Sequence, residues 1–165
     1  MDVGRFFRHL CSSRWLTRRR FTDEVDAAIE AAIGAAESRT SGEIRFVIET
    51  ALDPVAAGRG HAPRDRALEV FSRFRVWDTE LRNGVLIYVL VADRDVEILA
   101  DRGAVAMIPA AGWEAAARRM EEEFRAGRFR EGAIAGVEAV GALLEKPFPA
   151  RAVNRDELPN QPALL

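Results

Sequence analysis

The chain has 165 residues, 48% of them apolar and 30% charged, with a formal net charge of −2; this is one domain's length and a globular balance, which excludes a disordered chain. No run approaches the about 18 apolar residues of a membrane-spanning helix, the single cysteine excludes an internal disulfide, and no Cys/His spacing points to zinc. Arg8, Arg14 and Arg18 interrupt the apolar residues at the start, so no secretory leader is expected and the composition predicts a soluble cytoplasmic protein.

The charge is lopsided. Residues 1–20 carry Arg5, Arg8, Arg14, Arg18, Arg19 and Arg20 against Asp2, a formal +5, which leaves −7 on the other 145. This basic arm is interleaved with Phe6, Phe7 and Trp15, and Phe21 follows it. Two readings stand: the arm docks on an anionic surface, or Phe6, Leu10 and Trp15 fold back on the domain while the arginines stay solvated. A membrane surface or membrane protein is the partner the arm implies, with the protein peripheral at the inner membrane, and nucleic acid is not expected.

Thr22 before Asp23 and Glu24 opens a helix, and Val25, Ile29, Ala32, Ile33 and Ala36 carry it to about Ser38. Ile44, Phe46 and Ile48 alternate with Arg45, Val47 and Glu49, which predicts a strand with one well-buried face. After a loop over 53–63, Pro63 starts a second helix that faces Ala67, Leu68, Phe71 and Phe74 inward. Val85–Ala92 is apolar on both faces, a central strand. Asp93-Arg94 turns it into a third strand through Val96, Ile98 and Ala100, and a two-residue turn there sets Val85 opposite Arg102 and Ile87 opposite Ala100. A short strand over 104–108 extends the sheet. Trp113, Ala117, Met120 and Phe124 mark a third helix ended by Gly127, and Ile134, Val137, Val140 and Leu144 a fourth. Gly136 and Gly141 on the fourth predict the close approach of another backbone. Residues 149–165, rich in proline and without period, read as a mobile tail. The order gives a single-domain α/β fold, a three-layer α/β/α sandwich on a small mixed sheet, over residues 21–148.

The common catalytic signatures do not occur: there is no phosphate-binding Gly-rich loop, no dinucleotide fingerprint and no Gly-x-Ser-x-Gly elbow. His61 reads as a solvated loop residue. The topology instead brings acids together. Glu43 at the start of the first strand, Asp78 and Asn83 before the second, and Asp101 after the third lie at one end of the sheet. Three carboxylates and an amide oxygen are hard ligands for calcium or magnesium, and Arg82 and Arg102 beside them could hold phosphate or neutralise the acids. The opposite sheet end, with Glu49, Asp53, Asp93, Arg94 and Asp95, reads mainly as turn chemistry.

Ser41-Gly42-Glu43-Ile44-Arg45-Phe46, Trp77-Asp78-Thr79, Arg82-Asn83-Gly84-Val85-Leu86-Ile87-Tyr88-Val89, Val96-Glu97-Ile98 and Asp101-Arg102-Gly103 resemble the TPM-domain family, as does the later Trp113…Met120…Phe124-Arg125-Ala126-Gly127 with Gly132…Gly136. The resemblance spans about 22–148. It implies an α/β/α sandwich, divalent-metal binding in some members, weak acid phosphatase activity in a plant member, and roles in upkeep or assembly of membrane complexes. Many relatives carry a signal peptide and a carboxy-terminal membrane helix that this sequence does not display. Two functions follow as expectations: an interaction or accessory module with a divalent ion, or a metal-assisted phosphomonoesterase.

Overall fold

A computed structural model describes residues 1–152 and 156–165. Its elements run α1 (Val3–Cys11), α2 (Arg14–Arg20), α3 (Asp23–Glu37), β1 (Glu43–Glu49), α4 (Pro54–Gly58), α5 (Pro63–Arg73), β2 (Gly84–Leu90), β3 (Asp95–Ala100), α6 (Arg102–Met107), α7 (Ala110–Arg125), α8 (Phe129–Glu145) and β4 (Ala163–Leu164). Local chemistry sets several boundaries. Thr22 Oγ1 accepts the Val25 N–H at 3.3 Å and three acids fill the first turn of α3, where the helix dipole favours negative charge. Pro63 starts α5. Gly127, at φ +80°, follows the end of α7, a conformation open to glycine without a Cβ clash.

The sheet order is β3-β2-β1-β4, with β1 parallel to both β2 and β4 and β2 antiparallel to β3. One face presents Ile44, Phe46, Ile48, Val85, Ile87 and Val89 to Ile29 and Ile33 of α3, Met120 and Phe124 of α7, and Val137 and Val140 of α8. The other presents Val47, Leu86, Tyr88 and Leu90 to Ala67 and Val70 of α5, with Val76 and Leu158. This is the α/β/α sandwich expected from the sequence. Burying both faces explains why β2 is an uninterrupted apolar run.

Four local expectations are corrected. Val85 pairs with Ala100 and Leu90 with Asp95; the loop comprises the four residues between Leu90 and Asp95, with Arg94 at φ 55°, not two. The slip of two positions preserves which face each side chain occupies. Residues 104–108 are helical for most of their length: only Ala104 and Ile108, four apart, are buried there, the spacing of one helix face. Gly136 and Gly141 admit side chains, not backbone: a Cβ would lie 2.1 Å from Met120 Sδ at the first and 2.8 Å from Ala36 Cβ at the second.

The fourth correction concerns the end of the chain. Residues 156–165 pack along the open edge of β1 instead of forming a mobile tail, with Leu158 5% exposed and Leu165 N–H donating to Ile48 O at 2.8 Å. The part of that expectation covering 153–155 lies outside the described residues. All seven residues of β1 are buried, where one buried face was expected, because α5 covers the second face and the C-terminal segment covers the edge.

Candidate functional site

Three carboxylates meet at the entry to β1. Glu37 is the last residue of α3, and its four-residue spacing from Ile33 and Ile29 places it on the buried face of that helix. It is 8% exposed, and its Oε1 accepts the Ile44 N–H at 2.9 Å. Glu43 begins β1 at 1% exposure, and its Oε2 accepts the N–H groups of Glu157 and Leu158, each at 3.0 Å. Asp156 arrives from the returning C-terminal segment. One carboxylate oxygen from each of Glu37, Glu43 and Asp156 lies within 4.8 Å of the others.

Burial dominates the electrostatics. It pushes Glu37 up to about 8, opposed by the Ile44 N–H and reinforced by the charges of Glu43 and Asp156. It pushes Glu43 up to about 7, against the pull of the Leu158 and Glu157 N–H groups. Withdrawing a carboxylate from water disfavours its charged form, and like charges nearby add to that.

Arg45 ties the same segment down. Its Nη1 donates to Pro159 O and Gln161 O, both at 2.6 Å, and its guanidinium lies 5.0 Å from the centre of the Phe74 ring. Burial lowers its proton affinity. An arginine in an apolar strand is thereby compensated by two carbonyls and an aromatic face.

The sequence-predicted site divides. Of Glu43, Asp78, Asn83 and Asp101, only Glu43 belongs to the carboxylate group. Asn83 is buried at the same sheet end, donating Nδ2 to Ser41 O at 2.7 Å and receiving its own fixed position from an N–H bond to Thr79 Oγ1 at 3.1 Å. Asp101 sits nearby, its N–H bonded to Gly84 O at 2.8 Å, but its Oδ1 caps α6 through the Arg102 N–H at 2.7 Å. Asp78 is exposed in the turn after α5. Arg82 and Arg102 are exposed and form no ion pair among the described residues; Arg82 instead has φ 54° and accepts the Gly103 N–H on its carbonyl at 2.9 Å. Glu37 and Asp156 were not anticipated. The spacing of Ile29, Ile33 and Glu37 could have revealed the first, whereas nothing local marks Asp156.

The donor set fits a divalent cation. Three carboxylates are hard oxygen donors of the kind calcium and magnesium take, and one oxygen from each is close enough to the others to share one ion.

The far end of the sheet is built differently. Arg66 grips Glu49 at 2.9 Å, and Tyr88 donates its hydroxyl to Glu49 Oε2 at 2.7 Å; burial first, and then Glu49, raises the Tyr88 pKa. Asp93 receives Arg5 Nη2 at 2.7 Å, Arg8 Nη2 at 3.1 Å and His9 Nε2 at 3.0 Å. His9 also takes the Leu52 N–H on Nδ1 at 3.0 Å. The arm therefore docks on the domain, but through Arg5 and His9, while Leu10 and Trp15, expected to fold inward, are exposed.

The TPM domain matches residues 18–143. The chain belongs to the TPM-domain family. Among solved structures, the protein BA42 from the psychrophilic bacterium Bizionia argentinensis is similar at 35% identity, covering 87% of this chain and 94% of that one, with a TM-score of 0.77. The N-terminal domain of a protein from P. gingivalis shares the fold at 23% identity, covering 75% and 76% of the two chains, with a TM-score of 0.59. No curated protein matches the chain. In this TPM domain, no helix among the described residues is long and apolar enough to cross a membrane.

Proposed function

We propose that this TPM domain is an accessory, ligand-binding module that holds a divalent cation such as calcium between Glu37, Glu43 and Asp156. The observation that carries the reading is the grouping itself: three carboxylates from α3, β1 and the C-terminal segment within 4.8 Å of one another, two of them buried. A bound cation supplies the charge that lets these acids ionise together. The protein's own contribution is positional. Ile44 N–H orients Glu37, the Glu157 and Leu158 N–H groups orient Glu43, and Arg45 fixes the segment that delivers Asp156. These contacts join three elements at one point and favour a binding and scaffolding role over turnover, consistent with support of membrane complexes in this family.

The test is thermal unfolding with calcium, with magnesium and with chelator, for the native chain and for Glu37→Gln. The reading predicts a calcium-dependent rise in Tm, since a ligand bound only by the folded state stabilises it by mass action, and no rise in the variant. Equal Tm values with calcium and chelator contradict it. Metal-dependent hydrolysis of an aryl phosphate, lost in Glu37→Gln, would contradict the accessory role and favour a phosphomonoesterase.

A further inference from the structure

The arm is amphipathic in an inverted sense. Successive residues of a helix turn by about 100°, so Arg5 and His9 share one side of α1 while Val3, Phe7 and Leu10 share the opposite side. The polar side docks: the Arg5 side chain is 13% exposed, His9 is 2% exposed, and both bind Asp93. The apolar side faces solvent, with Val3 53%, Phe7 54% and Leu10 54% exposed. Trp15 and Leu16 of α2 continue it at 65% and 43%. With Met1, six of the eleven exposed large apolar residues among the described residues fall in the first sixteen positions. A clustering of this kind marks an interaction surface, whereas scattered exposed apolar residues do not.

Charge decides the occupant. Arg14 and Arg19 are exposed and, with Arg20, form no ion pair among the described residues. Arg19 lies over the Trp15 ring at 4.8 Å. Arg5 and Arg8 are paired with Asp93 and Arg18 with Asp26, so Arg14, Arg19 and Arg20 carry the arm's remaining positive charge. A second copy docking arm to arm would set these arginines against one another, and the acidic body cannot face an anionic surface itself. We propose that α1 and α2 bind an anionic lipid bilayer, with Val3, Phe7, Leu10, Trp15 and Leu16 entering the headgroup boundary and Arg14, Arg19 and Arg20 meeting lipid phosphates. An apolar face flanked by arginines suits the bilayer boundary, and each guanidinium near an anionic surface adds about five-fold to partitioning. The carboxylate site is at the other end of β1, about 20 Å away at strand rise, so both sites can act together.

The full chain is sedimented with mixed phosphatidylglycerol–phosphatidylcholine vesicles, with pure phosphatidylcholine vesicles, and alone at increasing concentration. The proposal predicts binding to the mixed vesicles that weakens with salt and is at least ten-fold weaker on pure phosphatidylcholine. A Phe7→Ser, Leu10→Ser variant loses that binding while its Tm and far-UV circular dichroism stay native, because neither side chain packs inward; Arg14→Gln with Arg19→Gln weakens it by about 25-fold. Equal affinity for the two vesicle types overturns the proposal. So does unchanged binding by the Phe7 and Leu10 variant, or self-association that the same variant abolishes.

Discussion

Glu43 Oε2 receives the Leu158 N–H at 3.0 Å across 115 residues of sequence, so the first residue of β1 holds the chain's final segment in place. The same oxygen takes the Glu157 N–H. Hydrogen bonds to a charged group contribute about 1.5–3 kcal/mol each, and the raised proton affinity of Glu43 places the present pair nearer the lower end. Glu43→Ala is expected to destabilise the fold by about 2–4 kcal/mol in urea unfolding and to remove hydrogen-exchange protection from the Leu158 and Leu165 amides ahead of the rest. Protection unchanged at those amides would show that the segment is held elsewhere.

Gly84 carries a steric requirement. A Cβ there would lie 2.0 Å from Val76 O, a backbone atom that cannot rotate away. Gly84→Ala is expected to cost about 2–4 kcal/mol, at the upper end of the usual range for an overpacked core or beyond it, and denaturant titration reads it directly. A loss below about 0.5 kcal/mol would mean that the turn before β2 moves freely.

The elements of the domain were legible where one local signal decided them. Thr22 capped α3, Pro63 opened α5, and the apolar Val85–Ala92 run identified a strand covered on both faces. Register was not, because Asp93-Arg94 looks like a two-residue turn until Val91 and Ala92 are seen to leave the ladder. The site was half legible for a related reason. Topology brought Glu43, Asn83 and Asp101 to one sheet end, but topology does not aim side chains: Asp101 turns to cap α6 and Asn83 to Ser41 O. Asp156 depends on a segment with no hydrophobic period, which is ordered by backbone bonds to Glu43 and Arg45 that no local pattern encodes.

Asp95 gives the stability a pH dependence. Burial pushes its carboxyl up from 3.8 to about 6, with Glu97, Glu121 and Asp93 adding to the rise and Arg5 opposing it. A group whose folded pKa is raised contributes most below its unfolded value and loses that contribution as pH climbs through the folded one. Stability is therefore expected to fall by roughly 1–3 kcal/mol from this group between about pH 4 and pH 7, and Asp95→Asn to flatten that slope. Urea unfolding across the range checks it; an identical slope in the variant contradicts it.

Asp93 has the opposite sign. Burial alone would raise it, but the hydrogen bonds and charges of Arg5 and His9 together outweigh burial and hold it below its usual 3.8. Its contribution is present above that value and lost as pH falls through the folded one. At neutral pH, Asp93→Asn is expected to loosen the arm and speed tryptic cleavage within residues 14–20 several-fold, with the domain's unfolding midpoint changed far less. Unaltered cleavage would show that α1 is held without this residue.

Binding of a divalent cation by Glu37, Glu43 and Asp156 together, as proposed above, has a direct readout. The most direct measurement is calcium titration of the full, isotopically labelled chain followed by amide NMR. Saturable shifts are expected at Ile44, Glu157 and Leu158, whose N–H groups bind the two buried carboxylates, with their disappearance in Glu37→Gln with Glu43→Gln. Shifts confined to the exposed acids elsewhere, or the same shifts in the double variant, would contradict it.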